Sequence, residues 1–103
     1  MNTNFELLVT ICNRGYAQDV IQSAKAGGAT GGTIFHGRSI DTGDVKKFFG
    51  ISIHPEKEII LIVALTEKKN DIMKAIGSEH GVDSEAHSVC FSVPVDDTVG
   101  FKF

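Results

Sequence analysis

An α+β fold, with a four-stranded antiparallel sheet and two helices on one of its faces, is predicted by three features of this sequence. Apolar, β-branched runs at residues 5–11, 33–36, 58–65 and 88–95 read as strands. Apolar residues at helical spacing follow the first and third of these runs. The order is therefore β-α-β-β-α-β, and right-handed crossovers place both helices on the same side of the sheet.

Each element has its own signature. In residues 5–11, Phe5, Leu7, Val9 and Ile11 share one face and Glu6, Leu8, Thr10 and Cys12 the other. Asn13, Arg14 and Gly15 turn the chain, and Ala17, Val20, Ile21 and Ala24 then mark a helix that Gly27 and Gly28 stop. The second strand begins at Thr33 and ends at His36, where Gly37, Arg38 and Ser39 break it. The third, residues 58–65, is apolar on both faces, with Ile59, Leu61, Val63 and Leu65 opposite Ile60, Ile62 and Ala64. Thr66 is the expected cap of a second helix that buries Ile72, Met73 and Ile76 and ends before Gly77. Pro94 lacks a donor, so the last strand, residues 88–95, belongs at a sheet edge or ends there. This is the ferredoxin-like arrangement.

The chain of 103 residues is expected to form one domain spanning 1–103. Ten basic residues against 13 acidic ones give a net charge of -3, which excludes the electrostatic footprint of a nucleic-acid binder. No apolar run approaches the ~20 residues that cross a bilayer, and the first residues lack a charged signal region. A cytoplasmic protein without membrane insertion is expected. Cys12 and Cys90 lie far apart in apolar runs and read as buried reduced thiols.

Residues 40–57 form a long connection with no steady period, and such connections tend to be functional or mobile. Within it Lys46, Lys47, Phe48 and Phe49 are a candidate docking point for a partner protein; alternatively the two rings fold back onto the domain. Just before it, residues 27–39 combine Gly27, Gly28, Gly31 and Gly32 with Gly37, Arg38 and Ser39. Glycines permit close approach of another molecule, and an arginine with a hydroxyl suits a phosphate or carboxylate. The alternative is a helix stop followed by a strand end, with Arg38 solvated. Both stay open here.

With both helices on one side, the second apolar face of the third strand is bare in a lone chain, a patch larger than soluble monomers carry. Self-association through the sheet is the simplest remedy. Other functions are disfavoured by what is missing. RNA recognition needs exposed aromatics with a basic surround on the central strands, and a heavy-metal chaperone needs closely spaced cysteines. His36, His54, His80 and His87 are scattered, and no motif joins any of them to a nucleophile, so no catalytic residues and no metal site are assigned. His36, beside Gly37 and Arg38, and His87, at the entry to the last strand, are the two histidines of interest.

Taken together, Gly28, Gly31 and Thr33 before the second strand, the Gly37–Arg38 pair, the long connection, the apolar third strand leading into a helix, and the Phe91-Ser92-Val93-Pro94-Val95 run resemble the PII family of signalling proteins. The resemblance covers most of the chain. The HGRS motif (residues 36–39) followed by FFGISIHPEKE (residues 48–58) looks like a PII-like branch with a shortened loop, often found beside membrane transport proteins.

The resemblance implies a homotrimer with inward-facing sheets, an adenine nucleotide (AMP, ADP or ATP) bound as effector in clefts between subunits, no required cofactor, and a loop that controls a protein target. By position, Thr33 matches the threonine on the nucleotide's side, Gly37 and Arg38 the glycine–arginine pair at the loop base, and Ala64 a main-chain contact to the base. His36, Ser39, His87 and Ser88 complete the candidate ligand-binding set. Several departures matter. Ser39 replaces the glutamine tied to metal and 2-oxoglutarate binding; residues 84–88 lack the glycines and lysine of the phosphate loop; the tail carries no arginine; and the modifiable loop tyrosine is absent. Each loss removes a phosphate donor or a regulatory group, so a nucleotide with fewer phosphates, or another small anion, fits better. Two function classes follow. One is a non-enzymatic trimeric regulator acting on a partner such as a membrane transporter; the other is a CutA-like or decayed-site trimeric scaffold or metal-responsive protein with His36 and His87 as ligands.

Overall fold

The computed structural model describes residues 4–40 and 56–101. The elements run β1 (Phe5–Asn13), α1 (Ala17–Ala26), β2 (Thr33–Arg38), β3 (Glu56–Leu65), α2 (Thr66–His80) and β4 (Val89–Val95). One antiparallel sheet has the order β2-β3-β1-β4, so β2 and β4 are its edges. Pro94 does lie in an edge strand, opposite Glu6.

Alternation decides which side is the core. Glu6, Leu8, Thr10 and Cys12 of β1 are buried together with Ile60, Ile62 and Ala64 of β3, and on them pack Ala17, Val20 and Ala24 of α1 and Ile72 and Ile76 of α2. Both helices thus cover the even-numbered face. The face left open is the more apolar one. Phe5, Leu7, Val9 and Ile11 of β1, the odd-numbered residues from Ile59 to Leu65 of β3, and Val89, Phe91, Val93 and Val95 of β4 share it, joined by Phe35 from β2. Phe35, Val89, Phe91 and Val93 are exposed there.

Several boundaries differ from those the sequence predicts. β1 continues to Asn13 because its pairing with β3 extends to Lys57, and β3 accordingly starts at Glu56, inside the stretch expected to be loop. β2 does not stop at His36; Gly37 and Arg38 remain paired with Lys57 and Glu56. Thr66 is the first residue of α2 and not its cap, its N–H donating to Asn4 O at 2.7 Å. α2 also runs through Gly77 to His80, at the roughly 1 kcal/mol that a helical glycine costs relative to alanine. β4 begins at Val89, one residue later than expected.

Candidate functional site

The glycine-rich stretch is largely consumed by the fold. α1 and α2 cross so closely at Gly27 that a β-carbon there would lie 2.8 Å from Asp71 O and 2.9 Å from Ile72 Cα. Gly28, at φ 122°, takes the left-handed turn after the helix. Gly32 presses on β3, where a β-carbon would approach Leu61 O and Ile62 Cγ1 to 3.1 Å each. A β-carbon at Gly37 would overlap Ile59 Cδ1, so this glycine makes room for Ile59 to lie across the edge strand. The helix-stop reading accounts for these residues without a ligand.

Side chains at the 36–39 end of β2 are a different matter. His36 and Arg38 are exposed and, by strand alternation, sit on the helix-covered side of the sheet, while Thr33 lies on the open side. Arg38 stands opposite Glu56 in the register but forms no ion pair among the described residues. His36 Nε2 lies 3.2 Å from Glu58 Oε2, and the other oxygen of Glu58 accepts the N–H groups of Gly15 and Ala17 at 3.0 Å each. Glu58 therefore holds the start of α1 with one oxygen and the end of β2 with the other. Burial pushes its carboxyl pKa up, but the Ala17 and Gly15 N–H bonds and the adjacent His36 outweigh this and leave it below the ordinary carboxylate value.

A folded pKa lowered in this way contributes stability that is complete above the unfolded carboxylate value and is lost as pH falls through the folded one. The stability gap between the parent and Glu58→Gln should accordingly narrow as the pH is lowered from 6 to 3, followed by urea unfolding. A gap that stays constant over that range would remove the ionised carboxylate from the account.

The remaining candidates are dispersed. Ala64 is buried under the helices at 3% exposure, so only its main chain could meet a ligand. His87 and Ser88 precede β4, three strand spacings or roughly 14 Å across the sheet from β2. His87 has a left-handed backbone, φ 51°, and its Nδ1 lies 2.8 Å from Val82 O, so Nδ1 carries the proton and closes the turn. The N–H groups of Ser84, His87 and Ser88 donate to Gly81 O, Ser84 O and His80 O, which takes them away from any phosphate. Ser88 Oγ is buried with no hydrogen-bond partner among the described residues. Lys46, Lys47, Phe48 and Phe49 lie outside the described residues, as does most of the 40–57 connection.

Nucleophilic chemistry finds no support at this end of the sheet. Cys12 is fully buried; burial, then the nearby Glu58, raise its pKa to about 11 against the opposing pull of Lys57, so it stays a thiol at neutral pH. Cys90 is half-buried and not fully enclosed as expected, and it accepts a hydrogen bond from Thr10 Oγ1 at 3.1 Å. Among the described residues no group of His, Cys, Asp or Glu is placed to hold a metal, and no helix is long and apolar enough to cross a membrane. A shallow groove of about 390 Å³ between the helices, lined by Asp19, Gln22, Ser23, Ser78, Glu79 and His80 among others, includes none of the candidate residues.

No protein-family model and no curated protein sequence matches the chain. Solved structures do. Arabidopsis thaliana PII bound to citrate superposes with a TM-score of 0.72 at 17% identity, covering 96% of this chain and 82% of that one. The fold is that of the PII proteins. A PII-like signalling protein of Thermus thermophilus superposes on 88% of this chain and 85% of its own, with TM-score 0.66 and 13% identity. GlnK of B. subtilis, in complex with ATP, does so on 95% and 89%, with TM-score 0.72 and 14% identity. The PII fold thus accounts for the order of all six elements and for both helices lying on one face of the sheet.

Sequence reasoning missed Glu58, which joins His36 to the start of α1. A signal for it exists: by alternation the residue falls on the same face as Ile60 and Ile62, and an acidic side chain on a helix-covered face needs donors. The donors belong to a turn 41 positions away along the chain, at Ala17, and 43 away, at Gly15.

Proposed function

We propose that this protein is a non-enzymatic regulator of the PII type. Copies associate through the open sheet face into a homotrimer. A small anion, in the first place an adenine nucleotide, binds at the clefts between copies with Arg38 as its main charged contact. Occupancy is relayed through the 40–57 connection to a protein partner such as a membrane transporter.

The observation that carries this reading is Arg38: an exposed guanidinium without an ion pair among the described residues, at the end of an edge strand, in a chain of PII fold. Two of the similar structures hold anions, citrate in one and ATP in the other, which supports an anionic ligand class. His87 and Ser88 are too far from β2 to share a ligand with Arg38 within one chain, but association could bring one copy's β4 entry toward another's β2. Three N–H groups of the 81–88 turn are already satisfied, which favours ligands with fewer phosphates.

Titration calorimetry with AMP, ADP and ATP tests the proposal, with divalent copper as the probe of the scaffold alternative. Arg38→Ala should weaken nucleotide binding by about 1.5–3 kcal/mol, the range for a hydrogen bond to a charged group, without changing the melting temperature of the free protein. Arg38→Lys should restore part of the affinity, since a point charge lacks the planar fork. A parent that binds no nucleotide, or an alanine variant that binds as tightly as the parent, defeats the assignment.

A further inference from the structure

Among the described residues the Arg38 end of β2 pairs with β3 alone, and a side-chain contact ties it further into the domain. That contact is His36 to Glu58, and Glu58 is in turn bound to the start of α1 through Gly15 and Ala17. We propose that His36 is a proton-operated latch: its protonation fastens the Arg38-bearing end of β2 to the Glu58–α1 junction, and its deprotonation loosens that end.

The chemistry follows from the atoms present. A carboxylate oxygen only accepts, so Nε2 of His36 carries a proton in the bond to Glu58 whether the ring is neutral or charged. Adding the second proton at Nδ1 turns a neutral donor into a cationic one, and charge-assisted bonds to a carboxylate are roughly twice as strong. Imidazole is the side-chain type that changes charge near neutral pH. On the strands, the charged or titratable residues nearest His36 in the register are Glu58 opposite it, Cys12 beyond Glu58, and Arg38 opposite Glu56 two positions along; Arg14 and Asp19 lie in the turn and the helix start that Glu58 holds. Among the described residues only Glu58 comes within ion-pair distance of His36. Against the opposing effect of burial, the carboxyl of Glu58 is held below the ordinary value by its bonds to the Ala17 and Gly15 N–H groups and by His36, so it is an anion at neutral pH.

The other imidazole of interest cannot act in this way. His87 Nδ1 is committed to a backbone carbonyl within its own turn, five residues away, so its protonation ties no second element down. His36 instead joins an edge strand to a helix start. Arg38 is two residues further along the same strand, so fastening His36 limits the freedom of the strand end from which the guanidinium projects.

This latch belongs to the free chain, so its test needs no nucleotide and can fail or succeed independently of the binding proposal. Amide exchange of residues 34–38 is measured at pH 5.5 and pH 8 and corrected for the intrinsic pH dependence of exchange. The contact is half in solvent, so protection in the parent should be about two- to fivefold greater at the lower pH, as for a partly exposed ion pair. His36→Gln keeps a neutral donor and should abolish the difference without loss of fold. Glu58→Gln should abolish it too, and 0.5 M salt should reduce it. An unchanged pH dependence in His36→Gln would overturn the latch, as would a parent whose β2 protection is the same at both pH values.

Discussion

Replacing Leu61 with glutamate is expected to leave a folded monomer. Leu61 stands near the middle of β3 with its side chain on the open face, opposite Val9 of β1 and Thr33 of β2. Neither helix touches that face, so the core built on Leu8, Ile60 and Ile62 is unaffected. If copies meet sheet to sheet, a carboxylate there enters a dry interface with no partner, at an effective cost of about 3 kcal/mol or more per chain. That is over a hundredfold in the association constant. Light scattering gives the mass, and circular dichroism confirms that the variant is folded. A parent that is already monomeric at micromolar concentration would refute sheet-to-sheet association; a variant that stays associated would put the interface elsewhere.

The neighbouring face gives the second large effect. Leu8 is completely buried, opposite Ile62 and Ser92 on the helix-covered side, and Leu8→Ala should cost about 2–5 kcal/mol of stability. Against the 5–15 kcal/mol typical of a domain, this brings the variant near unfolding at physiological temperature. Leu7→Ala, one position away on the open face, should cost the isolated fold much less and act mainly on association. Urea unfolding over a range of protein concentrations separates the two variants, because association adds a concentration-dependent term to apparent stability: the loss in Leu8→Ala should persist at the lowest concentration and the loss in Leu7→Ala should fade there. Equal losses at positions 7 and 8 at the lowest concentration would mean that the open face is covered in the lone chain.

The pair at positions 7 and 8 also shows what the sequence made legible. Period-2 alternation in residues 5–11 and the two-faced third strand were sufficient for the sheet and for one bare side, because each depends on local spacing alone, but not for which side the helices cover, since the face of β1 they bury is the less apolar one. The strand ends were not legible, because they depend on distant partners. Asn13 stays in β1 since Lys57 lies opposite, with Lys57 Nζ donating to Asn13 Oδ1 at 2.7 Å. Gly37 stays in β2 since it pairs with Lys57, at the far end of the long connection. The site divides in the same way. Arg38 and His36 could be singled out by residue type and by proximity to the long connection, whereas the role of Glu58 needs β2, β3 and α1 assembled at once. His87 was a reasonable candidate by type, yet its ring is occupied by a carbonyl that no spacing rule points to.

The open face has a consequence for how the protein is made. The helix-covered side holds Glu6, Thr10 and Cys12, while the side turned outward is apolar along β1 from Phe5 to Ile11, along β3 from Ile59 onward and along β4. If copies associate through this face as proposed, a newly synthesised chain can complete its own core and still present its stickiest surface to everything around it until it meets other copies. That meeting is a concentration-dependent step, unlike the folding that precedes it. Scarce synthesis prolongs the exposed interval, and unrelated unfolded chains compete for the same surface during it. Translation of several chains from one message, close together in space, shortens the interval without any change in sequence.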